Sequence, residues 1–325
     1  MFSFIRHTLR LMRIGYVLAR HDALFPFYEA PAPAAVRGAA KLAARIFRGR
    51  DLPDRPGVRL AAALTTLGPS FIKLGQTLST RSDLFGAAVA DDLALLQDRL
   101  SAFPGDKAFA TIEAELGKPI AELYSAIDPK PVAAASIAQV HLATTLDGKD
   151  VAVKVLRPGI EAAFERDIAL FRWLAALAWR LAPRGRRLRP VEVVEAFADT
   201  VRSEMDLRLE AAAATELGEN FKDDPMFATP EIDWARTARR VLTLERVAGC
   251  RVDDEAKLDA AGHDRQEIMR LAAGAFFRQV FEHGFFHADM HPGNLFVRAD
   301  GGLTVIDFGI MGRLDRTTRD YLADM

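Results

Sequence analysis

Apolar positions along the chain recur at two periods, and the switch between them divides it. In "MFSFIRHTLRLMRIGYVLAR" a period near 3.6 puts Phe2, Ile5, Leu9, Met12 and Tyr16 on one side of a helix and Arg6, Arg10, Arg13 and Arg20 on another. Residues 27–58 mix Pro, Ala, Gly and Arg and read as connecting segments around one short helix. "GPSFIKLGQTLSTRSDLF" then opens a helix at Gly68-Pro69, with Lys73, Gln76 and Thr77 on one face. Further helices are predicted over 87–99 and 105–117. From residue 130 the period falls to two. "SIAQVHLATT" and "DVAVKVL" flank the turn dipeptide Asp147-Gly148, which predicts an antiparallel pair ending at Lys154. Helical spacing returns over 159–182, 190–218 and 264–283. "RRVLTLERVAG" alternates as a strand, and "LFVRADGGLTVIDFG" reads as a hairpin turned at Asp300-Gly301-Gly302.

Composition narrows the class. The 325 residues, 50% hydrophobic and 27% charged, suit an ordinary folded protein of two domains or one elaborated one. The net charge of -1 conceals a basic front: residues 1–50 hold eight Arg and Lys41 against Asp22 and Glu29. Cys250 is the single cysteine, which excludes an internal disulfide and a cysteine-based zinc site. No apolar run is long enough to span a bilayer, since Arg172 and Arg180 interrupt even "IALFRWLAALAWRLA". The first twenty residues lack the features of a secretory signal. They suit either a helix lying in an anionic membrane interface or a surface helix with a solvated Arg stripe. The loop "PRGRRLRP" reads as a solvated linker, with contact to lipid phosphates as the alternative.

The chemistry concentrates near the C-terminal end of the sequence. In "FFHADMHPGNLFV", Asp289 and Asn294 are five residues apart, and Asp307 of "VIDFG" follows 18 residues after Asp289. Phosphoryl transfer needs a carboxylate beside the acceptor oxygen, here Asp289, and hard oxygen ligands for Mg²⁺, here Asn294 and Asp307. With Lys154 upstream, the four stand in the order of the protein-kinase signature. A loop ahead of such a lysine is ordinarily glycine-rich, so that backbone N–H groups can approach phosphates. Ala133, Ala134, Ala135 and Ser136 occupy that place, and a Cβ where left-handed geometry is required costs about 1–2 kcal/mol.

These motifs together resemble the UbiB family, also called ADCK or aarF-type, of atypical protein-kinase-like proteins linked to ubiquinone biosynthesis. The resemblance rests on "KLGQ" (Lys73, Gly75, Gln76), "AAASIAQVH", "VAVK", the Glu-x-Asp of Glu204 and Asp206, "HADMHPGN" and "DFG". It implies an α+β, bilobal protein-kinase-like fold with a family-specific N-terminal helical extension and a truncated C-lobe. The segments would be a basic amphipathic N-terminus and linker (1–58), a helical extension with the KxGQ motif (59–129), an N-lobe (130–248) and a partial C-lobe (249–325). It further implies that the alanine loop and Lys154 bind ATP or ADP, with Glu210 as the partner of Lys154. Lys73, Gly75, Gln76, Glu204 and Asp206 would regulate the site, the helix of Lys73 and Gln76 covering the pocket and the two carboxylates facing Lys73.

Two departures from ordinary kinases stand out. Ala288 replaces the arginine that senses activation-loop phosphorylation, and the chain stops 18 residues past Asp307, as a fragment or a short form would. The function implied is a Mg²⁺-ATP-dependent kinase or ATPase supporting ubiquinone biosynthesis, peripheral to the cytoplasmic face of the inner membrane. Expected partners are anionic lipids, quinone-biosynthesis proteins and polyprenyl quinone precursors, and no nucleic acid. A non-catalytic nucleotide-sensing scaffold has the same sequence signs. A phosphotransferase of the aminoglycoside-kinase type shares the catalytic loop but lacks a KxGQ helix.

Overall fold

The computed structural model describes residues 2–29, 34–94, 96, 101–181 and 183–324. Parts of the predicted segments at 30–33, 95, 97–99 and 182 lie outside the described residues. The chain divides into two units, each drawn from separate stretches of sequence. The first comprises the described residues up to Ala102, with Ala134–Ala138 and Arg157–Arg202; the second comprises Phe103–Ala133, Gln139–Leu156 and the described residues from Ser203 onward.

The first unit is helical. Helices Phe2–Arg20, Ala34–Phe47, Pro56–Leu67, Pro69–Ser79, Ala87–Ala94 and Ile160–Leu181 contribute to a core that includes Ile14, Val17, Leu18, Leu64, Leu93 and Leu170. Pro56 and Pro69 each take the first helical position, where a missing N–H leaves no bond unmade. Gly68 joins the two helices at φ 109°, and its N–H closes the first of them on Leu64 and Thr65. Only glycine occupies that conformation without strain.

The N-terminal helix departs from the arginine stripe expected of it. Arg10 turns inward and donates from Nε and Nη2 to the two oxygens of Asp167, both at 3.0 Å. His7 stacks on Trp173 of the same helix as Asp167, with ring centroids 6.0 Å apart. The face carrying Ile14, Val17 and Leu18 is buried, which leaves Ile5, Leu9, Met12 and Tyr16 outside at 50, 59, 57 and 45% exposure. An apolar stripe therefore faces solvent, with Arg6, Arg13 and Arg20 exposed beside it.

The sheets belong to the second unit except at Ala134 and Ala138, which fall in the first. In chain order the strands are β1 (Tyr124–Ile127), β2 (Ala133–Ala134), β3 (Ala138–Thr145), β4 (Asp150–Leu156), β5 (Phe227–Ala228), β6 (Val241–Glu245), β7 (Cys250–Arg251), β8 (Phe285–His287), β9 (Leu295–Val297), β10 (Leu303–Val305) and β11 (Met311–Arg313). The main sheet runs β1-β3-β4-β6, with β2 on β3; β5-β10-β9-β7 and β8-β11 form two smaller ones. The predicted Asp147-Gly148 turn joins β3 to β4, with Gly148 at φ 83°. Strict alternation along β4 sends Val151, Val153 and Val155 to one face, where they pack with Ala108 and Ile112 of helix Gly105–Leu116. Lys154 is thereby set on the other face.

One element departs from its expected form. The helix predicted over 190–218 is two helices, Pro190–Glu204 and Leu207–Asn220. Asp206 breaks it at φ -120° and ψ 91°, its carboxylate accepting from the N–H of Arg208 as an N-cap. Met205 is buried at the junction.

Candidate functional site

The alternation that buries the valines of β4 presents Lys154 to helix Leu207–Asn220, and the cap at Asp206 sets the start of that helix. Lys154 Nζ donates to Glu210 Oε1 at 2.7 Å and to Oε2 at 2.9 Å. The same ammonium donates to Asp307 Oδ1 at 3.3 Å. Three residues far apart in sequence thus meet at one nitrogen. The Lys154 and Glu210 side chains are 17 and 8% exposed, whereas that of Asp307 is 52% exposed. One carboxylate is committed to the lysine, and the other still faces outward.

The electrostatics follow from that geometry. Burial opposes the charge on Lys154, but Asp307 and Glu210 outweigh it and hold the ammonium above the ordinary lysine value. For Asp307 the charge of Lys154 dominates, and its carboxyl lies below the usual range. Glu210 goes the other way, because burial raises it more than Lys154 lowers it. Lys154 and Asp307 are therefore a charged pair at neutral pH.

Asp289, Asn294 and Asp307 are held by one hydrogen-bonded frame. His287, fully buried in β8, donates from Nε2 to the carbonyl of Asp307 at 2.8 Å. Its Nδ1 accepts the N–H of Asp289 at 3.2 Å, which fixes the neutral tautomer with the proton on Nε2. The Asn294 N–H closes a turn on His291 O at 2.8 Å, and its carbonyl accepts from Ile306 N at 2.9 Å. Asn294 Nδ2 donates to Asp289 O at 3.1 Å, so the amide oxygen is the atom left to ligate. Asp307 takes the left-handed conformation at φ 62°, unusual for a residue with a Cβ. Sequence reasoning named Asp289, Asn294 and Asp307 but missed His287 as the link between them. Its sign was a histidine two residues before the aspartate in a buried apolar run.

The donor set suits a hard cation accompanied by phosphates. Among the described residues no group of three or more His, Cys, Asp and Glu could hold a metal alone. Mg²⁺ needs no such cage, since one or two protein oxygens suffice when phosphates and water complete the shell. Asp307 and Asn294 are the residues that would hold it.

The alanine stretch and the KxGQ residues have physical roles of their own. No residue from Ala133 to Ala138 has a positive φ, so the alanines incur no left-handed penalty. They form β2 and a tight turn instead, with Ala135 N–H donating to Ala138 O at 2.8 Å. Lys73, Gly75 and Gln76 lie on helix Pro69–Ser79 of the first unit. A Cβ on Gly75 would come within 2.4 Å of Leu96 Cδ1 and 2.8 Å of Leu64 Cδ1, so this glycine permits close packing rather than an unusual φ. Gln76 Nε2 donates to Leu96 O at 3.2 Å. Glu204 and Asp206 belong to the second unit, where Asp206 also pairs with the Arg208 guanidinium at 2.8 and 2.6 Å.

Known proteins resemble this chain in sequence and fold. Residues 95–325 match the family model described as the ABC1 atypical kinase-like domain. A "Probable protein kinase UbiB" of Marinobacter nauticus is 43% identical over 323 residues, covering 97% of this chain and 58% of that protein. Another of the same name, from Xanthomonas euvesicatoria pv. vesicatoria, is 43% identical over 339 residues, covering 98% of this chain and 59% of that protein. The chain thus spans under two thirds of the length of these relatives. Among solved structures, the complex of Rv3197 with erythromycin from Mycobacterium tuberculosis is 30% identical with a TM-score of 0.56, covering 65% of this chain and 52% of that one.

Proposed function

The chain belongs to the ABC1 atypical kinase-like family, and from that premise we propose that it is a Mg²⁺-ATP-dependent atypical kinase or ATPase supporting ubiquinone biosynthesis at a membrane. The observation that carries the reading is the meeting of Lys154 with Glu210 and Asp307 at 2.7 and 3.3 Å. In this reading Glu210 fixes the ammonium of Lys154 so that it can meet nucleotide phosphates, as the lysine of a kinase does. Asp307 and Asn294 would hold Mg²⁺, which when bound would supply positive charge against the phosphate oxygens. Asp289 accepts the proton of the attacking hydroxyl or water, and His287 keeps it in register with Asp307.

Turnover measured with and without anionic vesicles tests the assignment. Asp289→Asn should retain Mg²⁺-ATP binding and lose hydrolysis by at least about a hundredfold, the scale of a missing general base. Full turnover in that variant would remove Asp289 from the mechanism. No turnover in the parent chain, with nucleotide binding intact, would favour the nucleotide-sensing scaffold.

The membrane part of the proposal draws on the first unit. Tyr16 meets Phe47 edge-on at 5.6 Å, joining the exposed stripe of Ile5, Leu9 and Met12 to the exposed Leu42, Ile46 and Phe47 of helix Ala34–Phe47. Arg6, Arg13, Arg20, Lys41 and Arg45 are exposed on the same two helices, the pairing of apolar face and basic flank that suits anionic lipid. Among the described residues no helix is long and apolar enough to cross a bilayer. Flotation with anionic vesicles should therefore be salt-sensitive and should weaken in a Leu9→Ser/Met12→Ser variant. Equal flotation of parent and variant would contradict this attachment. Quinone-biosynthesis proteins and polyprenyl quinone precursors are the proposed neighbours there.

A further inference from the structure

β8 and β11 pair antiparallel within the second unit, with His287 opposite Met311. Ala288 N–H donates to Ile310 O at 3.0 Å and Leu314 N–H to Gly284 O at 2.8 Å, so alternation gives the ladder bonds to Gly284, Phe286 and Ala288. The N–H of His287 is thereby turned away from β11, and a sheet of two strands offers it no other partner. A buried N–H left unpaired is costly. Gln279, fully buried like His287, meets it: the amide Oε1 accepts from His287 N at 2.9 Å. Gln279 stands where helix Arg265–Arg278 passes into a single π turn, Gln279–His283, and its own carbonyl accepts the Gly284 N–H that ends the turn. The amide Nε2 is also buried, with no hydrogen-bond partner among the described residues. A side chain that carries an unpaired donor into the core stabilises a fold less than an apolar one of the same size. What the amide adds here is an acceptor at a fixed place.

We infer that Gln279 is a positioning residue: by accepting the N–H of His287 it sets the imidazole that joins Asp289 to Asp307, and so aligns the proposed base with the proposed metal ligand. The inference goes beyond the nucleotide reading above and rests on it for the catalytic consequence. His287 accepts the Asp289 N–H at Nδ1 and donates from Nε2 to the Asp307 carbonyl, at 3.2 and 2.8 Å. Both bonds require one tautomer and one placement of the ring. The ladder fixes the neighbours of His287 from the β11 side, and Gln279 fixes the residue between them from the other. Asp307 has a second tie, its carboxylate to Lys154 Nζ at 3.3 Å, so a displaced imidazole moves Asp289 more than Asp307.

The test compares the full chain with Gln279→Met, Gln279→Leu, Gln279→Glu and Asp307→Asn, each checked for native melting. Turnover and Mg²⁺-ATP affinity are measured beside the nitrogen shifts of the His287 ring, read by NMR of the labelled, nucleotide-free chain. Gln279→Met removes the acceptor and the unpaired donor together at nearly constant volume, so melting should change little. It should lower kcat about tenfold, short of the roughly hundredfold cost of a full 1 Å misplacement, while Mg²⁺-ATP affinity changes less than about threefold. The two ring nitrogens, well separated in the parent as a single tautomer requires, should move toward each other in shift. Gln279→Leu is the second apolar probe and should behave alike. Gln279→Glu keeps an acceptor and should restore both kcat and the ring shifts. Parental kcat or unchanged ring shifts in a folded apolar variant, or equal losses in folded Gln279→Glu, would overturn the positioning role. If Asp307→Asn leaves Mg²⁺-ATP binding undiminished, the nucleotide reading fails, and the ring shifts still decide whether Gln279 sets His287.

Discussion

Two ion-pair sites, one in each unit, use the same chemistry to different ends. Arg10 and Asp167 form a closed fork, two bonds of 3.0 Å with the carboxylate almost wholly buried. Lys154 instead divides its ammonium between buried Glu210 and half-exposed Asp307. A closed pair leaves nothing for a ligand to use. The open one keeps a carboxylate facing outward beside a fixed cation, and in the proposed function that residual charge is what separates a binding site from a structural link.

The largest effect expected from this contrast is on stability at the closed pair. Asp167→Asn leaves a mostly buried guanidinium without its counter-charge, and by the usual cost of breaking a buried pair should destabilise the fold by about 3–5 kcal/mol. Replacing both partners, as Arg10→Met/Asp167→Leu, should recover most of that loss. Denaturant melts of the three variants check the expectation, and nucleotide affinity should be unchanged wherever the protein remains folded. A mild effect of Asp167→Asn together with weakened nucleotide binding would break the distinction drawn here.

At the open site, Glu210→Gln sharpens the comparison. The amide keeps an acceptor for Lys154 Nζ but removes the charge that fixes it, so Mg²⁺-ATP affinity should fall about tenfold while melting changes by only about 1 kcal/mol. A stability loss as large as that of Asp167→Asn, with affinity untouched, would make this pair structural too.

The smallest effect is on pH dependence. Asp307 lies below the usual carboxylate range because of Lys154, so its share of stability is present above the ordinary aspartate value and lost as pH falls through its depressed native value. Glu210, raised by burial, has the opposite sign, since proton uptake on acidification favours the folded form. Lys154, raised by its two carboxylates, keeps its share until well above the ordinary lysine range. The difference in melting between the parent and Asp307→Asn should therefore be flat from about pH 7 to 5 and shrink only below about pH 4. A steep change near pH 6 would mean that another group controls the pair.

Much of the open site is legible in the sequence because local rules place it. Alternation along β4 puts Lys154 opposite three valines, and a turn dipeptide fixes the hairpin that leads to it. The spacing of Asp289, Asn294 and Asp307 reports a loop and a hairpin whose geometry is largely local. Residues whose roles depend on distant partners were not legible. Arg10 looked like part of a solvent-facing stripe because Asp167, which turns it inward, is 157 residues away. The helix break at Asp206 was hidden by apolar spacing that continues through it, and the cap becomes visible only when φ and ψ are known. Gln279 carries no sequence sign at all, since a side-chain bond to a backbone N–H leaves no pattern of residue types.

The most direct test of the central claim is Mg²⁺-nucleotide affinity in Asp307→Asn, measured by calorimetry beside the parent chain and with melting as the check on folding. The account predicts that the neutral amide, unable to hold a hard divalent cation against phosphates, weakens Mg²⁺-ATP binding by at least about a hundredfold, roughly 2.7 kcal/mol, with the fold intact. Undiminished Mg²⁺-ATP affinity in the folded variant would contradict it.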